Sequence, residues 1–245
     1  LRLNHLLGIE QLSRDDITGI LDQTEHFREV LGRPIPVVPA LRGKTVVMLF
    51  FENSTRTRSS FELAAKRLSA DTVNIAAGSS SMSKGESVLD TARNIEAMNV
   101  DAIIVRHACS GVPQILAGHL EAAIINAGDG MHAHPTQALL DMMTVREKKG
   151  RISDLHVAIV GDIAHSRVAR SNIEGFTKMG STVTVAGPPT MIPMGIETMG
   201  ARVTYSVREA ISDADVIIVL RIQRELQETF IFPSEREYAQ CYGIN

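Results

Sequence analysis

The sequence predicts an α/β protein built as two doubly wound parallel-sheet domains, and three observations carry that reading. Short apolar runs rich in β-branched residues recur along the chain, each followed by a stretch whose apolar residues repeat at helical spacing. The runs are apolar at successive positions rather than alternate ones, as strands are when helices cover both faces of a parallel sheet. The polar segment "KKGRISD" at 148–154 interrupts the alternation, which then restarts, so the domains are expected at 1–148 and 149–245. The second ends at "CYGIN", where a further apolar strand is due, and is expected to be incomplete at its C-terminal side.

The first element is a helix in "LSRDDITGILDQTEHFREVLG". Ser13 and Asp16 stand three apart as a capping box requires, Ile17, Ile20, Leu21, Phe27 and Leu31 repeat at helical spacing, and Gly32 ends it. A linker with Pro34, Pro36 and Pro39 leads to the strand "KTVVMLFF", after which "SFELAAKRL" reads as a helix. There follow a strand near "TVNIA", a helix near "ESVLDTARNIEAMN", the strand "DAIIVR", a short helix near "VPQILAGHL", the strand "AAIINAG" and the helix "PTQALLDMMTVREKK". Beyond the break come the strand "LHVAIVG", the helix "RVARSNIEGFTKMG", the strand "TVTVAG", a short helix before Gly200, the strand "RVTYSV", the helix "REAISDA" and the strand "DVIIVL". No short-period repeat runs through the halves, which argues against a solenoid. In doubly wound sheets ligands bind beyond the carboxyl ends of the strands, so functional residues are sought there.

With 245 residues, 44% of them hydrophobic, the chain has material for real cores. A net charge of -3 provides no broad electropositive face, so neither nucleic acid nor membrane is an expected partner and any anion site must be local. Cys109 and Cys241 are far apart with no His/Cys cluster around either, which points away from a disulfide framework or structural zinc and toward a reducing cytoplasm. No apolar run reaches the roughly 18 residues of a membrane span, and the opening stretch, which begins at Leu1, lacks a signal-peptide layout.

Between the strand "KTVVMLFF" and its helix, "FFENSTRTRSSFE" gathers Ser54, Thr55, Arg56, Thr57 and Arg58 at a helix start. Free backbone N–H groups and the positive end of the helix dipole attract an anion there. Hydroxyls and Arg56 add charge-assisted bonds worth roughly 1.5 to 3 kcal/mol each when shielded from water. Ordinary capping by Ser or Thr, with the arginines solvated, accounts for the same composition, and the residues alone leave both readings open.

Other strand ends carry similar ambiguity. Arg106 closes "DAIIVR", where a surface charge is the commoner occupant. In "NAGDGMHAHPTQALLD", Gly128 and Gly130 loosen the backbone before His134, Pro135, Thr136 and Gln137 open a helix, where Pro is structurally favoured and a His could simply cap. His132 as a metal partner of His134 lacks carboxylate or thiolate company, so no metal site is expected. The Gly/Ser-rich "AAGSSSMSKGES" at 76–87 reads as a mobile loop. "VGDIAHSRVARS" has no GxGxxG pattern and no acid on the following strand, which argues against a dinucleotide. Arg221 in "VIIVLRIQRE" stands just past a buried strand.

These segments, in order and over nearly the whole chain, resemble the aspartate/ornithine transcarbamoylase family. "STRTR" after a strand is similar to the family's carbamoyl-phosphate signature, and "HPTQ" is another family motif. The resemblance implies that Ser54, Thr55, Arg56 and Thr57 bind the phosphate of carbamoyl phosphate, with Arg58 structural. It further implies that Arg106 reaches the phosphate and the carbamoyl oxygen, that His134 donates to that oxygen, and that Gln137 holds the carbamoyl amide. Ser80 and Lys84 correspond to loop residues that enter a neighbouring subunit's active site, which implies a homotrimer with shared sites. Arg167 aligns with an arginine that grips a substrate carboxylate. "LRIQ" followed by a charged pair resembles the aspartate-using members, with Arg221 and Gln223 on the aspartate carboxylates, whereas ornithine-using members carry an Asp and a Ser-Met-Gly segment hereabouts.

The implied reaction is attack of the α-amino group of L-aspartate on carbamoyl phosphate, giving N-carbamoyl-L-aspartate and phosphate in de novo pyrimidine biosynthesis. The resemblance implies no metal and no cofactor. Thr57, Arg106 and His134 would stabilise the charge on the carbonyl oxygen, Arg56 and Lys84 the departing phosphate, and Lys84 would also help hold aspartate. No residue is assigned as general base. The first domain would bind carbamoyl phosphate and the second aspartate, with closure bringing them together. Family chains continue past the equivalent of Asn245 with a further strand, an "HPxP"-type loop and a last helix. That departure keeps two alternatives: a catalytically weak scaffold subunit of a pyrimidine-synthesis assembly, and a transcarbamoylase for another amine such as ornithine. A regulatory or dihydroorotase partner is compatible with each.

Overall fold

The structure, a computed structural model, describes residues 3–76, 86–222 and 235–243. The chain divides into two compact units, Leu1–Thr136 and Gln137–Asn245. The division falls at the start of a helix, whereas the polar break at 148–154 follows that helix's end.

The first unit opens with α1 (Arg14–Leu31). The Ser13 hydroxyl accepts the Asp16 N–H at 3.1 Å and the Asp16 carboxylate accepts the Ser13 N–H at 3.0 Å, closing the capping box. Ile17 and Leu21 pack into the core; in the last turn Val30 is buried and Leu31 is exposed. Four parallel strands follow: β1 (Thr45–Phe50), β2 (Asp71–Ala76), β3 (Ala102–His107) and β4 (Ala123–Asp129), in the order β2-β1-β3-β4. They are joined through α2 (Thr55–Arg67), α3 (Val88–Glu96) and α4 (Val112–Ala117).

Because successive side chains of a strand point to opposite faces, β1 supplies two cores. Val47 and Leu49 join Ile103, Val105 and Ile124 under Ala92, Ile95 and Leu116. Val46, Met48 and Phe50 join Ile104 and Ala65 in the other cluster. Each fully buried large aliphatic side chain contributes roughly 1.5 to 3 kcal/mol. The outer edge of β4 is met by the N-terminal segment: the Leu6 N–H donates to the Ile124 carbonyl and the Asn126 N–H to the Leu6 carbonyl, both at 2.8 Å. This removes a free sheet edge that sequence periodicity does not reveal.

In the second unit, after α5 (Pro135–Lys149), come β5 (His156–Val160), α6 (Arg167–Lys178), β6 (Thr182–Ala186), β7 (Ala201–Thr204), α7 (Val207–Ser212), β8 (Val216–Val219) and α8 (Glu235–Tyr242). The strands are parallel in the order β7-β6-β5-β8. Ala158, Val160 and Ala186 pack on Val207 and Ala210. The short helix expected before Gly200 is instead two 3-10 turns, Pro189–Met191 and Ile196–Met199. Pro188, Pro189 and Pro193 lack the N–H groups that a longer α-helix needs, and the turns are what remains.

Both sheets reverse direction beside their first strand. From β1 the chain goes to β2 on one side and returns to β3 on the other, where Phe50 and Arg106 are register partners. From β5 it goes outward through β6 and β7 and returns to β8, where Val160 and Val219 are partners. Such reversals open a crevice at the carboxyl ends of the strands.

Candidate active site

At the first reversal, β1 ends and α2 begins with Ser54 as its N-cap and Thr55, Arg56 and Thr57 as its first three residues. The Ser54 side chain makes no capping hydrogen bond. Ser13, Ser87, Ser166 and Ser206, which cap α1, α3, α6 and α7, each accept a first-turn N–H. Simple capping by Ser54 therefore does not explain the hydroxyl-rich stretch. Ser54, Thr57 and Arg58 are half-buried, and Thr55 and Arg56 are exposed. The helix dipole and the backbone N–H groups favour negative charge at this end.

Arg106 is fixed from two sides. Its Nε lies 3.0 Å from Glu52 Oε2, and a terminal guanidinium nitrogen donates to the Ala127 carbonyl at 3.1 Å. The next residue, His107, stacks at a tilt on Phe51 with ring centres 4.8 Å apart, and its Nδ1 accepts the Cys109 N–H at 2.8 Å. Burial pushes the His107 pKa down, against the pull of the Glu52 and Asp129 carboxylates. An Nδ1 that accepts a backbone N–H is unprotonated, so burial and geometry agree on a neutral ring.

The loop after β4 is organised by Asp129, which is fully buried. One carboxylate oxygen accepts from Asn126 Nδ2 at 2.8 Å and the Ala133 N–H at 3.1 Å; the other accepts the Gly111 N–H at 2.7 Å and faces His132 Nδ1 at 3.1 Å. Gly130 has φ +47°, and a Cβ there would run into Ser110. The loop thus delivers His134, itself buried, with Thr136 Oγ1 3.4 Å from its Nδ1. His132 is engaged with Asp129 rather than with His134. Among the described residues no group of three or more His, Cys, Asp or Glu is placed to hold a metal ion.

In the first turn of α5, Gln137 Nε2 donates to Asp141 Oδ1 at 2.8 Å, and Asn172 Nδ2 of α6 donates to Asp141 Oδ2 at 2.7 Å. Burial raises the Asp141 pKa above the usual carboxylate range, and the amide donors of Asn172 and Gln137 draw it back.

At the second reversal Arg167 opens α6 and is buried, with Ser166 capping the helix through the Ala169 N–H at 3.1 Å. Arg221 follows β8 and is exposed. Gly161, just past β5, has φ +127°, and a Cβ there would lie 2.5 Å from the Leu220 carbonyl oxygen. A side chain at this position would collide with the chain just past β8. Ser80, Lys84 and Gln223 lie outside the described residues.

Comparison with known proteins settles the family. Residues 4–147 match the carbamoyl-P binding domain of aspartate/ornithine carbamoyltransferases, and residues 153–245 match the Asp/Orn binding domain of the same enzymes. The chain belongs to the aspartate/ornithine carbamoyltransferase family. Among carbamoyltransferases it is 62% identical to the aspartate carbamoyltransferase catalytic subunit of Desulfotalea psychrophila, over 98% of this chain and 76% of that one. It is 58% identical to the corresponding subunit of Desulforapulum autotrophicum, over 100% of this chain and 79% of the relative. The catalytic subunit of M. jannaschii aspartate transcarbamoylase superposes with a TM-score of 0.84 at 33% identity, covering 98% of this chain and 79% of that one. The Trypanosoma cruzi aspartate transcarbamoylase in complex with aspartate and phosphate gives 0.82 at 29% identity, covering 90% and 76%.

Sequence reasoning missed the residues that fix the candidate side chains locally: Glu52 and Asp129 in the first unit, Asp141 and Asn172 in the second. Glu52 stands inside "FFENSTRTRSSFE", between a strand end and a helix start, and that position is a signal that could have found it. The others depend on partners brought together only by folding.

Proposed function

We propose that this chain transfers the carbamoyl group of carbamoyl phosphate to the α-amino group of L-aspartate, giving N-carbamoyl-L-aspartate and phosphate. The observation that carries the reading is the start of α2, where Ser54 withholds its side chain from the cap beside Thr55, Arg56 and Thr57. A phosphate dianion supplies the acceptor that such a helix start lacks.

In this reading Ser54, Thr55, Arg56 and Thr57 hold the phosphate and Arg106 bridges it to the carbamoyl oxygen. The aspartate nitrogen attacks the carbonyl carbon, and charge builds on the oxygen faced by Thr57, Arg106 and His134. Removing one such donor lowers the rate on the order of 100- to 1000-fold. The carbon–oxygen bond to phosphate then breaks and the electron pair leaves with the phosphate, which Arg56 and Lys84 neutralise. No side chain is assigned as general base, and the departing phosphate accepts the amine proton. Arg167, Arg221 and Gln223, with Lys84, align the two aspartate carboxylates. Residues 1–148 serve carbamoyl phosphate and 149–245 serve aspartate. Ser80 and Lys84 act in a neighbouring subunit of a cytoplasmic homotrimer.

The test is turnover of the full natural chain with carbamoyl phosphate and each candidate amine, followed by product identification. Carbamoyl-aspartate formed by the wild type and lost in Arg56→Ala is the expected result. Carbamoylation of ornithine in preference to aspartate, or assembly without any turnover, overturns the reading.

A further inference from the structure

We infer that Asp141, held in place by Asn172, is a positioning residue that sets the Gln137 amide so that its Oε1, and not its Nε2, is offered to the carbamoyl NH2. The inference rests on the reading of Gln137 as a carbamoyl ligand and adds what makes that ligand selective.

A glutamine amide is nearly symmetric in shape and opposite in polarity at its two ends, so an unrestrained one presents donor and acceptor alike. The carbamoyl NH2 is itself a donor, and only the Oε1 end can receive it. Gln137 and Asp141 stand four apart on α5 and so face the same way. The contact at Asp141 Oδ1 is made by Gln137 Nε2 at 2.8 Å. Each oxygen of the Asp141 carboxylate already accepts an amide N–H, which favours its ionised, accepting form against the effect of burial, so the reversed Gln137 amide would set oxygen against oxygen.

Asp141 needs a fixed orientation for this to work, and Asn172 supplies it. Its Nδ2 donates to the second carboxylate oxygen at 2.7 Å from 31 positions further along the chain. Asn172 is fully buried, and its Oδ1 has no hydrogen-bond partner among the described residues. A buried amide that leaves its own oxygen unmet is kept for what its nitrogen does, and here the nitrogen serves Asp141. The chain Asn172–Asp141–Gln137 has one consistent polarity, with donors converging on the carboxylate from both sides and a free acceptor at its outer end.

A double-mutant cycle on the full chain tests this, using Asp141→Asn, Gln137→Ala and the pair together, with thermal melting to check the fold. Asp141→Asn keeps the shape and admits the reversed amide. Its kcat/KM for carbamoyl phosphate is expected to fall roughly 10- to 100-fold, with no further fall when it is added to Gln137→Ala. Inhibition by acetyl phosphate, in which a methyl group replaces the NH2, is expected to stay unchanged, a pattern that general loosening of the site does not produce. If Asp141→Asn fails to fold, the same cycle is run with Asn172→Leu. Equal losses in the wild-type and Gln137→Ala backgrounds, or a parallel loss of acetyl phosphate affinity, overturn the positioning role while leaving the carbamoyl-transfer reading intact. A wild-type chain that forms no carbamoyl-aspartate removes that reading and this inference with it.

Discussion

Arg106 Nε and Glu52 Oε2 lie 3.0 Å apart, joining the segment after β1 to the end of β3 across the strand reversal. Their side chains retain only 15% and 22% of their exposure, so the pair is screened by solvent far less than a surface ion pair. The ion pair and the hydrogen bond to the Ala127 carbonyl together restrain the Arg106 guanidinium.

Replacing Glu52 by Gln keeps the size of the side chain and removes the charge. The hydrogen bond from the guanidinium to the Ala127 carbonyl is unaffected by that change. Activity is expected to fall about tenfold, the effect of losing roughly one charge-assisted contact, with little change in melting temperature. Steady-state kinetics of Glu52→Gln with carbamoyl phosphate varied is the check; wild-type constants would show that Arg106 is oriented by other means.

Asp129 gathers three hydrogen-bond donors and a histidine ring around one buried carboxylate. Asn in its place turns one accepting oxygen into a donor facing N–H groups. Asp129→Asn is expected to lose about 2 to 4 kcal/mol of stability and, by releasing the loop ahead of His134, most of the activity. Urea unfolding and turnover measured on one preparation test both, and a variant as stable as the wild type contradicts the assignment.

His107 links stability to pH with a definite sign. Its folded-state pKa is depressed by burial, so below the unfolded value near 6.5 the unfolded chain binds the extra proton more readily. The stability it contributes is present above that pH and is lost as pH falls below it. His107→Asn removes this titration, so the gap in urea midpoint between wild type and variant is expected to narrow from pH 7.5 to about pH 5. A gap that stays constant over that range refutes the neutral buried ring.

Gly161 permits the close approach of β5 to Leu220, the residue before Arg221. An alanine there meets both the +127° backbone angle and the Leu220 carbonyl. Gly161→Ala is expected to destabilise by more than 1 kcal/mol and to raise the KM for aspartate more than that for carbamoyl phosphate, since the displaced segment carries Arg221. Equal rises in both constants would detach Arg221 from aspartate.

The strands were legible because each is a short β-branched run with turn residues on both sides, and α1 because Ser13, Asp16 and Gly32 mark its ends. The turns at Pro189–Met191 and Ile196–Met199 were misread as one helix because their apolar residues mimic helical spacing while the prolines deny it hydrogen bonds. Helix α8 (Glu235–Tyr242) is only eight residues long, with Tyr238 and Tyr242 one turn apart and their ring centres 5.8 Å from each other, and the sequence reading assigned no element there. At the site, Ser54 to Thr57 and His134 were visible as local motifs. Asp141 was not, because the Asn172 that orients it lies 31 residues away and pairs with it only in the folded chain.

Under the proposed function, the start of α2 couples ligand binding to local order. Ser13, Ser87, Ser166 and Ser206 each tie down a first-turn N–H, whereas Ser54 leaves those of α2 to the phosphate that the proposed function places there. Occupancy and local rigidity then rise together, so that amides of the opening turn exchange with solvent more slowly once phosphate is bound, and the substrate completes a piece of secondary structure that the chain alone leaves unfinished.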